Sequence, residues 1–447
     1  MPMKMPRARD TRISYSVVQA IAVFYLAIWA ISPPLMIGDM ARLLALACAV
    51  IWFALALVRG LSLKPIHCAA ALFTLAVIVI AYVRRGKVDD VLKMIPIYML
   101  VIGFVMAHFY KDRWHELKGL VPILLILCII WNSNTVKALI EDPLVARMIV
   151  RDDEAIYEYL RQGIGGYELI YPQVCVWPAM VMWTGKAFQT KRWVYGVIGV
   201  IWGISFVWML FLAGYSIAIC ASLLGLVALL FYRGKGVFWA LIGALALFIT
   251  GALLLLYVPA IGDFLCSDSM FGGTAVADKI EDLRLTGAAG DAVGSIESRV
   301  RRYSSTIRNL VKYPIIGSLW IDVGGGHSAI LDTFLRYGWW GGSVYVAMLL
   351  YVPNWYKKWL DNSVVHRAAN AVLVSLVFVT LLDSVTYSFA FMITVVLSML
   401  YEDIAAWDQF GPRPKRKKKN PYDFNYAKYR KTDEGETEHT RHRHRKD

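Results

Sequence analysis

The stretch WVYGVIGVIWGISFVWMLFLAGYSIAICASLLGLVALLF, residues 193–231, decides the class of this chain. It holds no charged residue from end to end. One helix crossing a bilayer core of ~30 Å needs about 20 mostly apolar residues. The block is therefore two spans, and the turn between them is placed at Leu212-Ala213-Gly214, where a glycine lets the chain reverse. The same ruler finds about twelve such runs along the chain: 13–32, 41–58, 65–83, 91–110, 119–136, 169–185, 194–212, 214–232, 237–257, 338–356, 368–385 and 387–402. A 58% hydrophobic composition and a mean hydropathy of +0.51 agree with the membrane class. The expected fold is all-α, a polytopic membrane protein of about twelve transmembrane helices.

Lysine and arginine in the short loops set the expected orientation. Lys4, Arg7, Arg9 and Arg12 hold the N-terminus in the cytoplasm. Twelve spans then put Arg59 and Lys64 inside, with Lys111, Arg113 and Lys118. Lys186, Lys191 and Arg192 fall inside too, as do Arg233, Lys235, Lys357, Lys358 and Arg367. RRGKVDD at 84–90 disagrees, although its two aspartates partly offset the charge. The organisation is a cytoplasmic N-terminus (1–12), a transmembrane body (13–402) and a basic tail (403–447). Two substantial loops face outward, at about 137–168 and 258–337, the second between spans nine and ten.

Roughly half of the formal net charge of +14 sits in the tail, chiefly in RPKRKKK at 413–419. Beside a membrane such a run reads as an anchor to anionic lipid, and no nucleic-acid partner is expected. The tail composition reads as disordered. Five of the six cysteines lie in predicted spans, where cysteine behaves as a small apolar residue. Only Cys266 lies in an outside loop, so no disulfide framework is expected. The first span reads as an uncleaved anchor.

The polar stretch from Tyr257 to Tyr337 is the longest interruption in the chain, and the candidate chemistry lies there. SRVRRYSSTIRNLVKYP (298–314) reads as a helix stopped by Pro314 and Gly317. Arg299 and Arg302 share a face of it, with Arg308 within two further turns. Arginine binds phosphate oxygens through a planar fork and keeps its charge at any relevant pH. His327 follows Gly324-Gly325-Gly326 and is the only histidine in an outward segment. An unperturbed imidazole titrates near pH ~6.5, which suits a general base. Arg336 sits at headgroup level where the chain re-enters the bilayer. Read from the residues alone, two alternatives stand beside catalysis: arginines that contact lipid phosphates, and a solvent-exposed loop histidine. In the first outside loop, Pro143 to Arg161 has helical spacing, and Gly163, Gly165 and Gly166 break it. Asp383, near the outer end of the eleventh span, is an intramembrane ionisable group and so a functional candidate, with a hydrogen-bonded structural role as the alternative.

The order Ser298-Arg299, Tyr313-Pro314-Ile315-Ile316-Gly317, His327-Ser328, Leu331-Asp332, Arg336 and Gly338 resembles the signature of the O-antigen ligase and polymerase family. The specific match covers about 45 residues, 298–341, and the layout of spans is similar across the chain. The resemblance implies a metal-independent, cofactor-free glycosyltransferase of the bacterial inner membrane, with its active site facing the periplasm. The donor would be a glycan on undecaprenyl pyrophosphate, and the acceptor another saccharide. It implies that His327 activates the acceptor hydroxyl, that Asp332 orients it or the acceptor, and that Arg299, Arg302 and Arg336 hold the pyrophosphate. Positive charge at the leaving pyrophosphate and a base at the nucleophile are what this chemistry needs.

One departure matters. Many ligases carry Ser-Arg-Gly at an outside turn between two middle spans. Here LAGYSIAI (212–219) has Ser216 followed by Ile217. Arg161 is the natural substitute for the absent arginine, and GIGGYELIY (163–171) is more similar to repeat-unit polymerases. The expectation is a polymerase joining lipid-linked repeat units of a surface polysaccharide, with a chain-length regulator as a natural partner. A ligase is the nearest alternative. A transporter of lipid-linked sugar comes third, because twelve spans with both ends inside is also the layout of major-facilitator transporters. Against it, the link after the sixth span is short, no motif repeats between the halves, and the charges cluster outside the membrane.

Overall fold

The computed structural model describes residues 8–85, 95–111, 113–117, 119–142, 153–231, 294–318, 328–383 and 387–410, with isolated positions between them. Met1–Gln409 is one compact unit; of the second, Phe410–Asp447, only Phe410 is among the described residues. The described residues form helices joined by turns and contain no strand. In chain order the helices are α1 (Ala8–Ile31), α2 (Pro33–Met36), α3 (Asp39–Val58), α4 (Pro65–Arg85), α5 (Ile95–Phe109) and a 3-10 turn (Trp114–Leu117). Then come α6 (Leu120–Glu141), α7 (Asp153–Arg161), α8 (Tyr167–Gln189), α9 (Trp193–Ala213), α10 (Ser216–Phe231) and α11 (Gly294–Lys312). α12 (Ala329–Leu360) and α13 (Ser363–Leu382) follow, and α14 (Tyr387–Phe391) runs through a π-helical turn, Met392–Val396, into α15 (Leu397–Phe410).

Among the described residues, six helices are long and apolar enough to cross a membrane: Asp39–Val58, Pro65–Val83, Trp114–Glu141, Trp193–Ala213, Ser363–Leu382 and Phe389–Gln409. Helix also runs through five more of the predicted apolar runs, whose helices are shorter or more polar. The ninth run, 237–257, lies almost wholly outside the described residues, as do Gly324–Gly326 and the tail from Gly411.

Side-chain size is sorted in the sense a bilayer demands. On α3, Ala45, Ala49, Trp52 and Ala56 are buried, while Leu43, Leu46, Val50, Phe53 and Leu57 are exposed. On α9, Gly196, Gly199, Trp202 and Phe206 face inward and Val197, Val200, Ile201 and Ile204 outward. Small residues let helices approach closely, and large apolar ones cover the outer wall. Continuous exposed apolar surface of this extent has no place in water. α13 and α15 lie at the centre, with nearly every residue of α13 from Ala368 to Leu376 buried.

Polar side chains staple the interior where three helices meet. The Asn132 and Gln173 amides pair reciprocally, Nδ2 to Oε1 at 3.0 Å and Nε2 to Oδ1 at 2.9 Å. Trp202 Nε1 donates to the same Gln173 oxygen at 2.9 Å, and Asn132 Nδ2 reaches Ser205 Oγ at 3.2 Å. This ties α6, α8 and α9 together. At one end of the bundle the basic loops find their partners. Arg59 grips Glu116 with two nitrogens, at 2.6 and 3.0 Å, and also bonds Gln19. Lys186 and Asn362 share Asp408. This is the basic end; the candidate site lies at the other.

Several boundaries differ from expectation. α6 continues to Glu141, so the first outside loop begins later than 137. α7 is a helix over Asp153–Arg161; most of the expected helical stretch before it, from Pro143, lies outside the described residues. α11 starts at Gly294, four residues before Ser298, and ends at Lys312 as the Pro314 stop predicts. The last helix runs to Phe410 and not 402, because Ile404, Ala405 and Trp407 still face the core.

Candidate functional site

The Pro-Ile-Ile-Gly stop has a structural reason. α12 is two helices joined at Gly338, whose φ of 66° and ψ of −169° are not helical. The 314–318 turn docks on that kink: Trp339 N donates to Pro314 O at 2.9 Å, and Ser318 N to Leu335 O at 2.7 Å. Gly317 (φ +80°) faces it so closely that a Cβ there would lie 2.5 Å from Gly338 N. Both glycines occupy the left-handed region that side chains disfavour. The kink thus separates a short segment, Ala329–Tyr337, from the long one that starts at Trp339. This short helix was not foreseen within the 258–337 loop.

Ser328 caps the short segment, accepting from Leu331 N at 3.1 Å, and Asp332 answers by accepting from Ser328 N at 3.2 Å. The pair is a reciprocal N-terminal cap, which also places a carboxylate at the positive end of the helix. Ser328 Oγ donates to Thr380 O at 3.3 Å, and Ala329 N donates to Asp383 O at 2.9 Å. The start of α12 is therefore pinned to the end of α13. α11 lies over both, with Tyr303 OH donating to Leu382 O at 2.9 Å.

Asp383 is buried (7% exposed) and accepts from Tyr171 OH at 2.6 Å. Tyr171 belongs to a stack with Tyr167 and Tyr215; Tyr167 and Tyr215 have centroids 4.4 Å apart at 19°. Parallel stacking at this spacing contributes beyond area burial alone. α8, α10, α11, α12 and α13 thus converge at this end. Tyr167 and Tyr171, at i and i+4, were open to recognition from the sequence as one face of α8. Tyr215, forty-odd residues on, carried no such signal, and neither did Tyr303.

The predicted residues distribute as follows. Asp332 and Arg336 lie one turn apart on the short segment of α12, both half-buried. Arg302 is exposed on α11, which packs on α12. Arg299 lies on α11 in the turn before it. Arg161 is exposed at the end of α7, whose main neighbour is α2, so it is not on the helices that carry the others. Its loop is nonetheless held firmly: Gly165 N donates to Thr135 Oγ1 at 2.9 Å, and Gly163 (φ +77°) lies against the Trp131 ring. That glycine run leads directly into α8 and the tyrosine stack. His327 lies outside the described residues, next to the capping Ser328.

The surface beside the site is amphipathic. Ile307 and Val311 on α11, then Ile315 and Ile316, form an exposed apolar stripe, and Trp339 and Trp340 beyond the kink are exposed too. Arg301, Arg302, Arg308 and Lys312 are also exposed on α11. Apolar and cationic residues together on such a helix, beside paired tryptophans, are the pattern of the lipid–water interface. Chemically, this end combines exposed arginine charge on α11 with two carboxylates, Asp332 and Asp383, that already accept hydrogen bonds. No protein-family profile matches the chain, and no curated protein matches it in sequence.

Proposed function

We propose that this chain is a membrane glycosyltransferase that polymerises undecaprenyl-pyrophosphate-linked repeat units of a surface polysaccharide, such as O-antigen, capsule or exopolysaccharide. The observation that carries the reading is the docking of the 314–318 turn on the Gly338 kink. It holds the arginine helix α11 against the segment bearing Asp332 and Arg336. In this reading the protein crosses the bacterial inner membrane twelve times, with both termini in the cytoplasm and the kinked end in the periplasm. Arg299, Arg302 and Arg336 bind the pyrophosphate, whose charge grows as the glycosidic bond to it breaks. Arg161 reaches the same anion from α7. His327 takes the proton of the acceptor hydroxyl as that oxygen attacks the anomeric carbon. Asp332 holds the helix start next to His327, and Asp383 with Tyr171 holds the helices beneath it.

The test is removal of the gene from its host, followed by sizing of the surface polysaccharide. Loss of a polymerase leaves acceptors carrying a single repeat unit. Loss of a ligase leaves none, and an unchanged ladder of lengths counts against both.

A further inference from the structure

We propose that the basic end of the bundle carries a second, non-catalytic site that binds the phosphate of an anionic phospholipid headgroup. It is formed by Lys64, His67, Lys111, His108, Trp355 and Trp359. The proposal does not depend on the glycosyltransferase reading.

The site begins with an aromatic column. His108 stacks on Trp355 (centroids 4.3 Å apart, 18° between planes), and Trp355 stacks in turn on Trp359 (5.9 Å, 11°). His67 meets the His108 ring edge-on at 4.5 Å. Two lysines from different loops converge on this column. Lys64 Nζ lies 5.9 Å and Lys111 Nζ 5.7 Å from the centre of the one Trp355 ring, and Lys111 is 5.0 Å from Trp359. A cation over an indole is attracted to it. Two cations drawn to a single ring also repel each other, and an anion between them removes that cost. Among the described residues neither lysine forms an ion pair with a carboxylate.

The second observation is a buried donor. His67 is 3% exposed, and its Nδ1 accepts from Lys64 N at 3.0 Å. The proton is therefore on Nε2, and that atom has no partner among the described residues. Buried polar atoms are rarely left so. The unmade bond calls for an acceptor, the same demand that the two ammoniums make; His108 Nδ1, in the ring beside it, is likewise without a partner among the described residues. The neighbouring wall says where the rest of the ligand lies. α4 leads away from Lys64 with Leu72, Leu75 and Val79 exposed, an apolar surface along which acyl chains extend. Lysine and tryptophan at the end of membrane helices match a headgroup in position and charge.

The experiment uses the full chain in nanodiscs containing photoactivatable phosphatidylglycerol, with crosslinked peptides identified by mass spectrometry. Label is expected on peptides spanning 104–111 and 351–360. It should fall about fivefold in Lys111→Gln and more than tenfold in the Lys64→Gln/Lys111→Gln double variant, and persist when both lysines become arginine. In the wild type alone, unlabelled phosphatidylglycerol should suppress the label and phosphatidylcholine should not, which keeps the test open if the double variant fails to fold. Label absent from these peptides, or unchanged in a folded double variant, overturns the proposal. Suppression by phosphatidylcholine, or by millimolar inorganic phosphate in place of lipid, overturns it as well.

Discussion

Gly317 and Gly338 meet backbone to backbone, each with a positive φ (80° and 66°), and neither position has room for a Cβ. Two sequence-distant glycines thereby form one joint, on which both α11 and the start of α12 depend. Alanine at either position carries a left-handed penalty of roughly 1–2 kcal/mol before any clash. At Gly338 the obstacle is the Ile315 carbonyl, backbone that cannot rotate away. Gly338→Ala is expected to lower the melting temperature of the purified protein and abolish activity, and Gly317→Ala to do nearly as much. Wild-type melting in both variants would remove the joint from the account.

Asp332 and His327 are predicted to separate. Asp332 already accepts the Ser328 N–H, and asparagine can do the same, so Asp332→Asn should keep the helix start and most of the activity. Asp332→Ala removes the acceptor of the Ser328 N–H while the Ser328 cap itself remains, and should cost about 1 kcal/mol in stability. His327→Ala should fold normally, bind the lipid-linked donor, and lose at least ~100-fold in transfer rate. Comparing rates in the three variants, with donor binding as control, decides the matter: an Asp332→Asn loss as deep as that of His327→Ala would put Asp332 in the chemistry.

Tyr171 and Asp383 form a buried pair joining α8 to α13, 2.6 Å between oxygens. Tyr171→Phe withdraws that donor from a buried carboxylate, with an expected cost of about 1–3 kcal/mol. Asp383→Asn keeps an acceptor and should be milder. A double-mutant cycle on thermal stability should return a coupling of at least ~0.5 kcal/mol; additive effects would mean the two residues act separately.

The Asn132–Gln173 amide pair should matter for stability and not for chemistry. Gln173→Leu strands Asn132 Oδ1 and the Trp202 N–H, leaving Asn132 Nδ2 its bond to Ser205, and is expected to cost about 1–3 kcal/mol. Under the proposed function, the remaining folded protein should transfer glycan at the wild-type rate, measured per folded molecule after size-exclusion chromatography. A rate defect at full stability would tie this network to the site.

Much of this fold was legible because bilayer crossing imposes a length and a composition that a single sequence displays. Helix follows the predicted runs along α3, α4, α9 and α13 to within a few residues, with α13 beginning five residues earlier than its run. Pro314 and Gly317 also announced the end of α11. The kink was not legible as geometry. Gly338 was read as part of a motif, and only its contact with Ile315 explains why it must be glycine. Asp383 stood out as a charge in an apolar run, but its partner did not. Tyr171 is an ordinary aromatic in a membrane helix until α13 is brought beside it, and contacts across two hundred residues leave no periodic trace.

In a repeat-unit polymerase, donor and acceptor are the same kind of molecule. The most direct measurement incubates the purified protein in nanodiscs with a single substrate, an undecaprenyl-pyrophosphate-linked repeat unit from the host, and sizes the products. The account predicts a ladder of longer glycans on lipid, absent with His327→Ala. No new glycosidic bond with authentic substrate, or transfer only after a different acceptor is added, would contradict it.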